Sequence, residues 1–75
     1  VKELVEYMAR QLVDEPEAVS VDEIHHADRV VLRLHVAEGD MGRVIGKQGR
    51  IAQAMRALLK VAAAHEHVYA TLEIG

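Results

Sequence analysis

The stretch Val44-Ile45-Gly46-Lys47-Gln48-Gly49-Arg50, VIGKQGR, lies just past the middle of a 75-residue chain and sets two glycines three residues apart. The flanking residues suit helix, where a glycine costs about 1 kcal/mol relative to alanine. The pair therefore marks a break: a short helix over Met41–Ile45, a loop over Gly46–Gly49, and a longer helix from about Arg50. Without Cβ atoms, the chain can turn through positive φ and another molecule's backbone can come close. The longer helix starts at the loop, so its unpaired N–H groups and positive dipole end face it.

Beyond the loop, Ile51, Ala54, Met55, Leu58 and Ala62 fall at helical spacing and predict the apolar stripe. Gln53, Arg56 and Lys60 lie on the polar side, where a solvated face is expected. Ala70, Leu72 and Ile74 then alternate with Tyr69, Thr71 and Glu73, the pattern of a strand. Before the loop, Asp40 is placed to cap the short helix. Val30, Leu32, Leu34 and Val36 alternate with Val31, Arg33, His35 and Ala37 in a half-buried strand. An earlier strand is expected over Ala18–Ala27, with Val19 and Val21 in phase, a slip at Ile24 that reads as a bulge, and a turn at Asp28-Arg29. Val1, Leu4, Val5, Met8, Ala9, Leu12 and Val13 share one face of a first helix, opposite Lys2, Glu3, Glu6, Arg10 and Gln11. Pro16 is expected to close it. Val1 is already on the helical face, and a few native residues are expected ahead of it.

The order is helix, strand, strand, short helix, helix, strand, an α+β fold. The first two strands read as an antiparallel pair. The second and third are joined by helices long enough for a right-handed crossover, which makes them parallel neighbours. A three-stranded mixed sheet with helices on one face follows, its other face carrying Arg33, His35, Thr71 and Glu73 toward water.

Composition narrows the function. Cysteine is absent, which removes disulfides and thiolate metal sites. The longest apolar tract, around Val61–Ala64, is far too short for a membrane span, and a cytoplasmic location is expected. His25-His26 and His65-Glu66-His67 lack the spacing that sets two metal ligands on one helix face, and read as exposed or strand-edge histidines. Besides the tyrosines, Ser20 and Thr71 are the only hydroxyls, and no paired acid–base site is visible, so no catalytic residue is expected. The net charge is −3, yet Arg43, Lys47, Arg50, Arg56 and Lys60 fall between Met41 and His65 with no acid among them. The remainder carries four basic and twelve acidic residues. Such asymmetry points to one polyanion-facing surface on an acidic body.

The loop is neither a Walker A sequence nor a dinucleotide fingerprint, because it lacks Gly-x-x-x-x-Gly-Lys-Ser/Thr and any Gly-x-Gly. A Gly-x-x-Gly pair by itself serves equally as a structural helix cap. The pair, the cation island and the element order together resemble the KH domain in its type II, prokaryotic-style arrangement, over essentially all of residues 1–75. VIGKQGR is similar to the KH signature of an apolar pair followed by Gly-x-x-Gly with a basic residue in the loop. More narrowly, EGDMGRVIGKQGRIAQAMRALLKVAAA, with its run from Asp40 to Arg50, resembles small bacterial RNA-binding proteins made of a single KH domain. One departure is Ala52, where many KH domains carry a bulky aliphatic residue, although Ile51 is adjacent.

The resemblance implies a clamp for about four nucleotides of single-stranded RNA. Gly46 and Gly49 are then expected to admit the RNA backbone, Lys47, Arg50 and Arg43 to meet phosphate, and Gln48 to meet phosphate or sugar. Val44 and Ile45 form either the apolar floor beneath the bases or part of the core. The chain has no Phe or Trp and only Tyr7 and Tyr69, which disfavours RNA-binding folds built on aromatic platforms. The resemblance further implies an RNA chaperone or post-transcriptional regulator without cofactor or metal, which forms a homodimer or a heterodimer with a Jag-type KH protein. The alternative is a protein–protein adaptor that dimerises through its KH fold with little RNA contact.

Overall fold

A computed structural model describes all 75 residues. Its elements are α1 (Lys2–Leu12), β1 (Ser20–His25), β2 (Val30–His35), α2 (Met41–Ile45), α3 (Arg50–His65) and β3 (Ala70–Ile74), with single 3-10 turns at Pro16–Ala18, Glu38–Asp40 and Lys47–Gly49. The sheet order is β1-β2-β3, with β1 antiparallel and β3 parallel to β2. This is the expected α+β architecture with a three-stranded mixed sheet.

One face of the sheet carries all three helices. Val21, Val30, Leu32, Leu34 and Leu72 meet Val5 and Ala9 of α1, Val44 of α2, and Met55 and Leu59 of α3 in one core cluster. Leu32, Leu34, Leu59, Val5 and Val44 are fully buried, and burying each such side chain contributes about 1.5–3 kcal/mol. The opposite face is polar at its centre: Arg33 donates from Nη2 to Glu73 Oε1 at 3.1 Å, and His35 Nε2 lies 3.0 Å from Asp22 Oδ2.

Several expectations are corrected. The first strand is shorter than Ala18–Ala27, because Ala18 belongs to the 3-10 turn that Pro16 opens. No bulge occurs at Ile24: pairing runs unbroken from Ser20↔His35 to His25↔Val30. Ile24 instead pairs with Val31 on the open face, and this apolar couple explains the apparent slip in phase. The second strand stops at His35 rather than Ala37, and the third begins at Ala70 rather than Tyr69. α1 ends at Leu12, well before Pro16, with Val13 extended.

The reason for that early end lies far along the chain. Asp40 is 3% exposed, the one buried charged residue. It makes no side-chain cap to α2. Its Oδ1 accepts the Asp14 N–H and its Oδ2 the Glu15 N–H, both at 3.1 Å. The carboxylate thus satisfies backbone donors just past α1 and ties that end to the start of α2.

α3 is also turned by about one residue from the expected stripe. Ala52, Met55, Leu59 and Ala63 are its buried positions, whereas Ala54 and Leu58 are exposed. Met55 and Leu59 enter the core cluster, while Leu58 and Val61 stay exposed along the flank.

Candidate nucleic-acid interface

The loop between α2 and α3 is built from three residues at positive φ: Gly46 (+76°), Gln48 (+58°) and Gly49 (+74°). A Cβ on Gly46 would stand 2.6 Å from Ile51 Cγ1 and 2.8 Å from Ile51 Cβ, so glycine is required there by space as well as by conformation. At Gly49 nothing lies within 4 Å, and only the left-handed backbone demands glycine. The Gly46 N–H donates to Gly42 O at 2.9 Å and the Gly49 N–H to Gly46 O at 3.1 Å, which holds the turn shut. The left-handed Gln48 is a feature the sequence does not announce.

This turn pushes Lys47 and Gln48 outward. Both are exposed, as is Arg50, whose Nη2 donates to Gln48 Oε1 at 3.3 Å. Neither Lys47 nor Arg50 takes part in an ion pair, and the same holds for Arg56 and Lys60 farther along α3. Arg43 differs: its Nη2 is 3.0 Å from Asp14 Oδ2 and its Nε 3.4 Å from Asp40 Oδ1. Its charge is largely offset, and its place is at the Asp40 tie rather than among the free cations. The run of five basic residues in sequence becomes four uncommitted cations along one helix and its entry loop.

Val44 and Ile45 part company. Val44 is fully buried in the core and offers no surface to a ligand, while Ile45 is 38% exposed beside the loop. Arg56 is not merely on a solvated face. Its Nε donates to the Leu72 carbonyl at 3.3 Å, so the side chain reaches from α3 to β3.

That contact crosses a groove of about 480 Å³ between α3 and β3, walled by Arg56, Leu59, Lys60, Ala63, Val68 and Leu72 among others. β3 is an edge strand. The Val30 N–H donates to Tyr69 O at 2.7 Å and the Gly75 N–H to Leu34 O at 3.2 Å, so the odd-numbered residues turn toward β2. By the alternation of a ladder, the N–H and C=O groups of Ala70 and Leu72 turn to the free edge and face the groove. The groove holds two cations and no acid. Apart from Arg56 and Lys60, which the sequence places on a solvated face, its residues do not stand out in the sequence, because alanines and strand backbone leave no side-chain motif. The run Ala62-Ala63-Ala64 beside a terminal strand is the one available signal.

A second apolar surface lies on the far flank of α3, against α1. Tyr7 (64% exposed), Met8, Leu12, Ile51, Ala54 and Leu58 (55% exposed) line a shallow depression of about 380 Å³. No three histidine or carboxylate side chains converge as metal ligands would. No helix is long and apolar enough to cross a membrane.

Element order, mixed sheet and a glycine turn entering the second of two consecutive helices define a KH domain of type II. Residues 2–74 match the family model described as KhpA/KhpB, KH domain, and the chain belongs to that family. It is 54% identical over 72 residues to the RNA-binding protein KhpA of Caldanaerobacter subterraneus, covering 96% of each chain. It is 51% identical over 73 residues to the RNA-binding protein KhpA of Clostridium perfringens, covering 97% of each. These are names of binding proteins, not of enzymes. Among solved structures, Aquifex aeolicus Era bound to GDP and aluminium fluoride superposes with a TM-score of 0.68 at 19% identity, over 97% of this chain and 28% of that one. The chain thus matches about a quarter of Era, and the likeness is one of fold.

Proposed function

We propose that residues 1–75 act as one KH module that binds single-stranded RNA through the Gly46–Gly49 loop. One observation carries the reading: exposed Lys47, free of any carboxylate, stands on a left-handed turn at the start of α3, the helix whose later turns wall an acid-free groove. Phosphate meets the loop N–H groups, Lys47 and Arg50, with Gln48 hydrogen-bonding phosphate or sugar and Ile45 giving apolar contact. Bases enter between α3 and β3, where the edge N–H groups of Ala70 and Leu72 and the Ala70 carbonyl supply donors and an acceptor. The names of the KhpA relatives support the same ligand. Weak, sequence-tolerant holding of unpaired strands fits an RNA chaperone or post-transcriptional regulator, working in the cytoplasm where RNA is made and used. The test compares an unstructured oligonucleotide with a duplex of the same sequence. Binding to the single strand alone is expected, because the bases of a duplex are unavailable to the groove. Equal affinity for both overturns the reading.

A second reading rests on Tyr7 and Leu58, large apolar side chains exposed on the α1/α3 flank away from the groove. A domain this small has little core to spare, and we assign this face to a second copy of the same chain. Leu58→Glu is expected to convert a dimer to a monomer in sedimentation without loss of helicity. A parent chain that is monomeric until a Jag-type KH protein is added assigns the face to that partner instead.

A further inference from the structure

Beyond the groove the molecule has one more feature that a loop clamp leaves unexplained. Tyr69 is 78% exposed and forms no hydrogen bond through its hydroxyl, in a chain with two tyrosines and no Phe or Trp. It borders the α3/β3 groove and also a second hollow of about 340 Å³, which lies between the β1–β2 turn and the α3–β3 connection. The two depressions share Val68 and Tyr69 in their walls, so they adjoin there, with Tyr69 at the junction.

The backbone beneath this ring is held firmly. The Val68 N–H donates to Ala63 O at 3.0 Å and the His67 N–H to Ala64 O at 3.1 Å, with His67 left-handed at φ +60°. This is the paired-bond Schellman closure of a helix C-terminus. One residue later, Tyr69 O accepts the Val30 N–H at 2.7 Å. An exposed ring on a backbone clamped from both sides has little freedom left to lose on binding, since tyrosine has few rotatable bonds.

We propose that Tyr69 is a stacking platform for a base of the bound single strand, which extends the RNA track beyond the loop. The inference rests on the RNA reading above. The strand enters at Lys47, follows α3, and places a base on Tyr69 with its phosphate toward Lys60, across a groove wall that holds cations and no acid. The second hollow receives the far side of that nucleotide. Its charged groups are Arg29 and Asp28, which balance, and its histidines are His25, His26 and His67. Base–aromatic stacking is sequence-tolerant, because every base presents a π face. A site of this kind lengthens the footprint without adding sequence preference. α3 is about 24 Å long at 1.5 Å per residue. At the roughly 3.4 Å rise of a stacked strand, about seven nucleotides cover it.

The test uses oligoadenylates of four and eight nucleotides. In a Tyr7→Phe variant, Tyr69 is the sole intrinsic fluorophore. The octamer is expected to quench its emission and the tetramer to leave it nearly unchanged. Tyr69→Ala is expected to weaken octamer binding at least fivefold while the tetramer binds as before, and Tyr69→Trp to restore the octamer. Lys47→Asp with Gln48→Asp should weaken both lengths. If octamer affinity is indifferent to Tyr69→Ala and its emission is unquenched, while the loop variant still loses binding, the platform is refuted and the loop clamp stands. If neither oligonucleotide binds the parent protein, both readings fall together.

Discussion

Replacing Lys47 and Gln48 together by aspartate, with Gly46 and Gly49 kept, separates RNA binding from folding. Lys47 has no ion-pair partner, and Gln48 accepts only one exposed 3.3 Å bond, from Arg50, whose loss at the surface costs little. Both positions are exposed. Aspartate tolerates the left-handed backbone of position 48 better than most residues, and acids beside a helix N-terminus are favourable. Stability should therefore change by no more than about 0.5 kcal/mol. The loop itself moves from +1 to −2. A unit charge about 6 Å from a phosphate in water contributes about 0.7 kcal/mol. Three such units give about 2 kcal/mol, which physiological salt reduces through its Debye length of about 8 Å. A loss of about 1 kcal/mol, roughly fivefold in affinity, remains. Fluorescence anisotropy with a labelled unstructured RNA reads the affinity, and circular dichroism melting reads the fold. Unchanged affinity in a variant that melts like the parent would refute the clamp. Unchanged affinity together with lost self-association would assign the loop to an interface and favour the adaptor.

Three further outcomes follow from the geometry. Gly46→Ala should destabilise by about 2–3 kcal/mol, because positive φ and the collision with Ile51 act together, whereas Gly49→Ala meets open space and should cost about 1–2 kcal/mol; comparable melting points for the two variants would contradict the role given to Ile51. Asp40→Ala leaves the part-buried N–H groups of Asp14 and Glu15 without their acceptors and should cost about 2–4 kcal/mol in urea unfolding, while a change below 0.5 kcal/mol would show that the tie is dispensable. With Lys47, Arg50, Arg56 and Lys60 uncommitted, the slope of log K against log[salt] for single-stranded RNA should be near −3, at about −0.7 per phosphate; a flat plot would remove the phosphate contacts.

The sequence carries the fold well where periodicity is local. Alternation in Val30–His35 and Ala70–Ile74, with a two-helix connection between them, is enough to give the parallel pair and the mixed sheet. The glycines mark the loop because two of them three residues apart interrupt a segment otherwise suited to helix. What escaped has physical causes. In α3, Ile51, Ala52, Ala54, Met55, Leu58, Leu59, Ala62 and Ala63 support two neighbouring phases, and only contact with the sheet decides between them. Asp40 next to a short helix has the local signature of a cap, yet its bonds run to residues about 25 positions earlier, where no local pattern points. Arg43 belongs to the cation run in sequence and to a pair of carboxylates in space. The groove between α3 and β3 escaped for a different reason: its walls are mostly small and apolar residues, and its two cations, Arg56 and Lys60, read in sequence as an ordinary solvated helix face.

The most direct test of the central claim is a residue-by-residue map of the RNA contact. Amide NMR spectra of the isotopically labelled 75-residue chain, titrated with unstructured single-stranded RNA, give it in one experiment. The account predicts the largest shifts at Gly46, Lys47, Gln48, Gly49 and Arg50, smaller ones at Arg56, Ala70 and Leu72, and none at Asp22, Arg33 or Glu73 on the open sheet face. Shifts concentrated on that sheet face or on the Tyr7–Leu58 flank, with the loop amides unmoved, would contradict it.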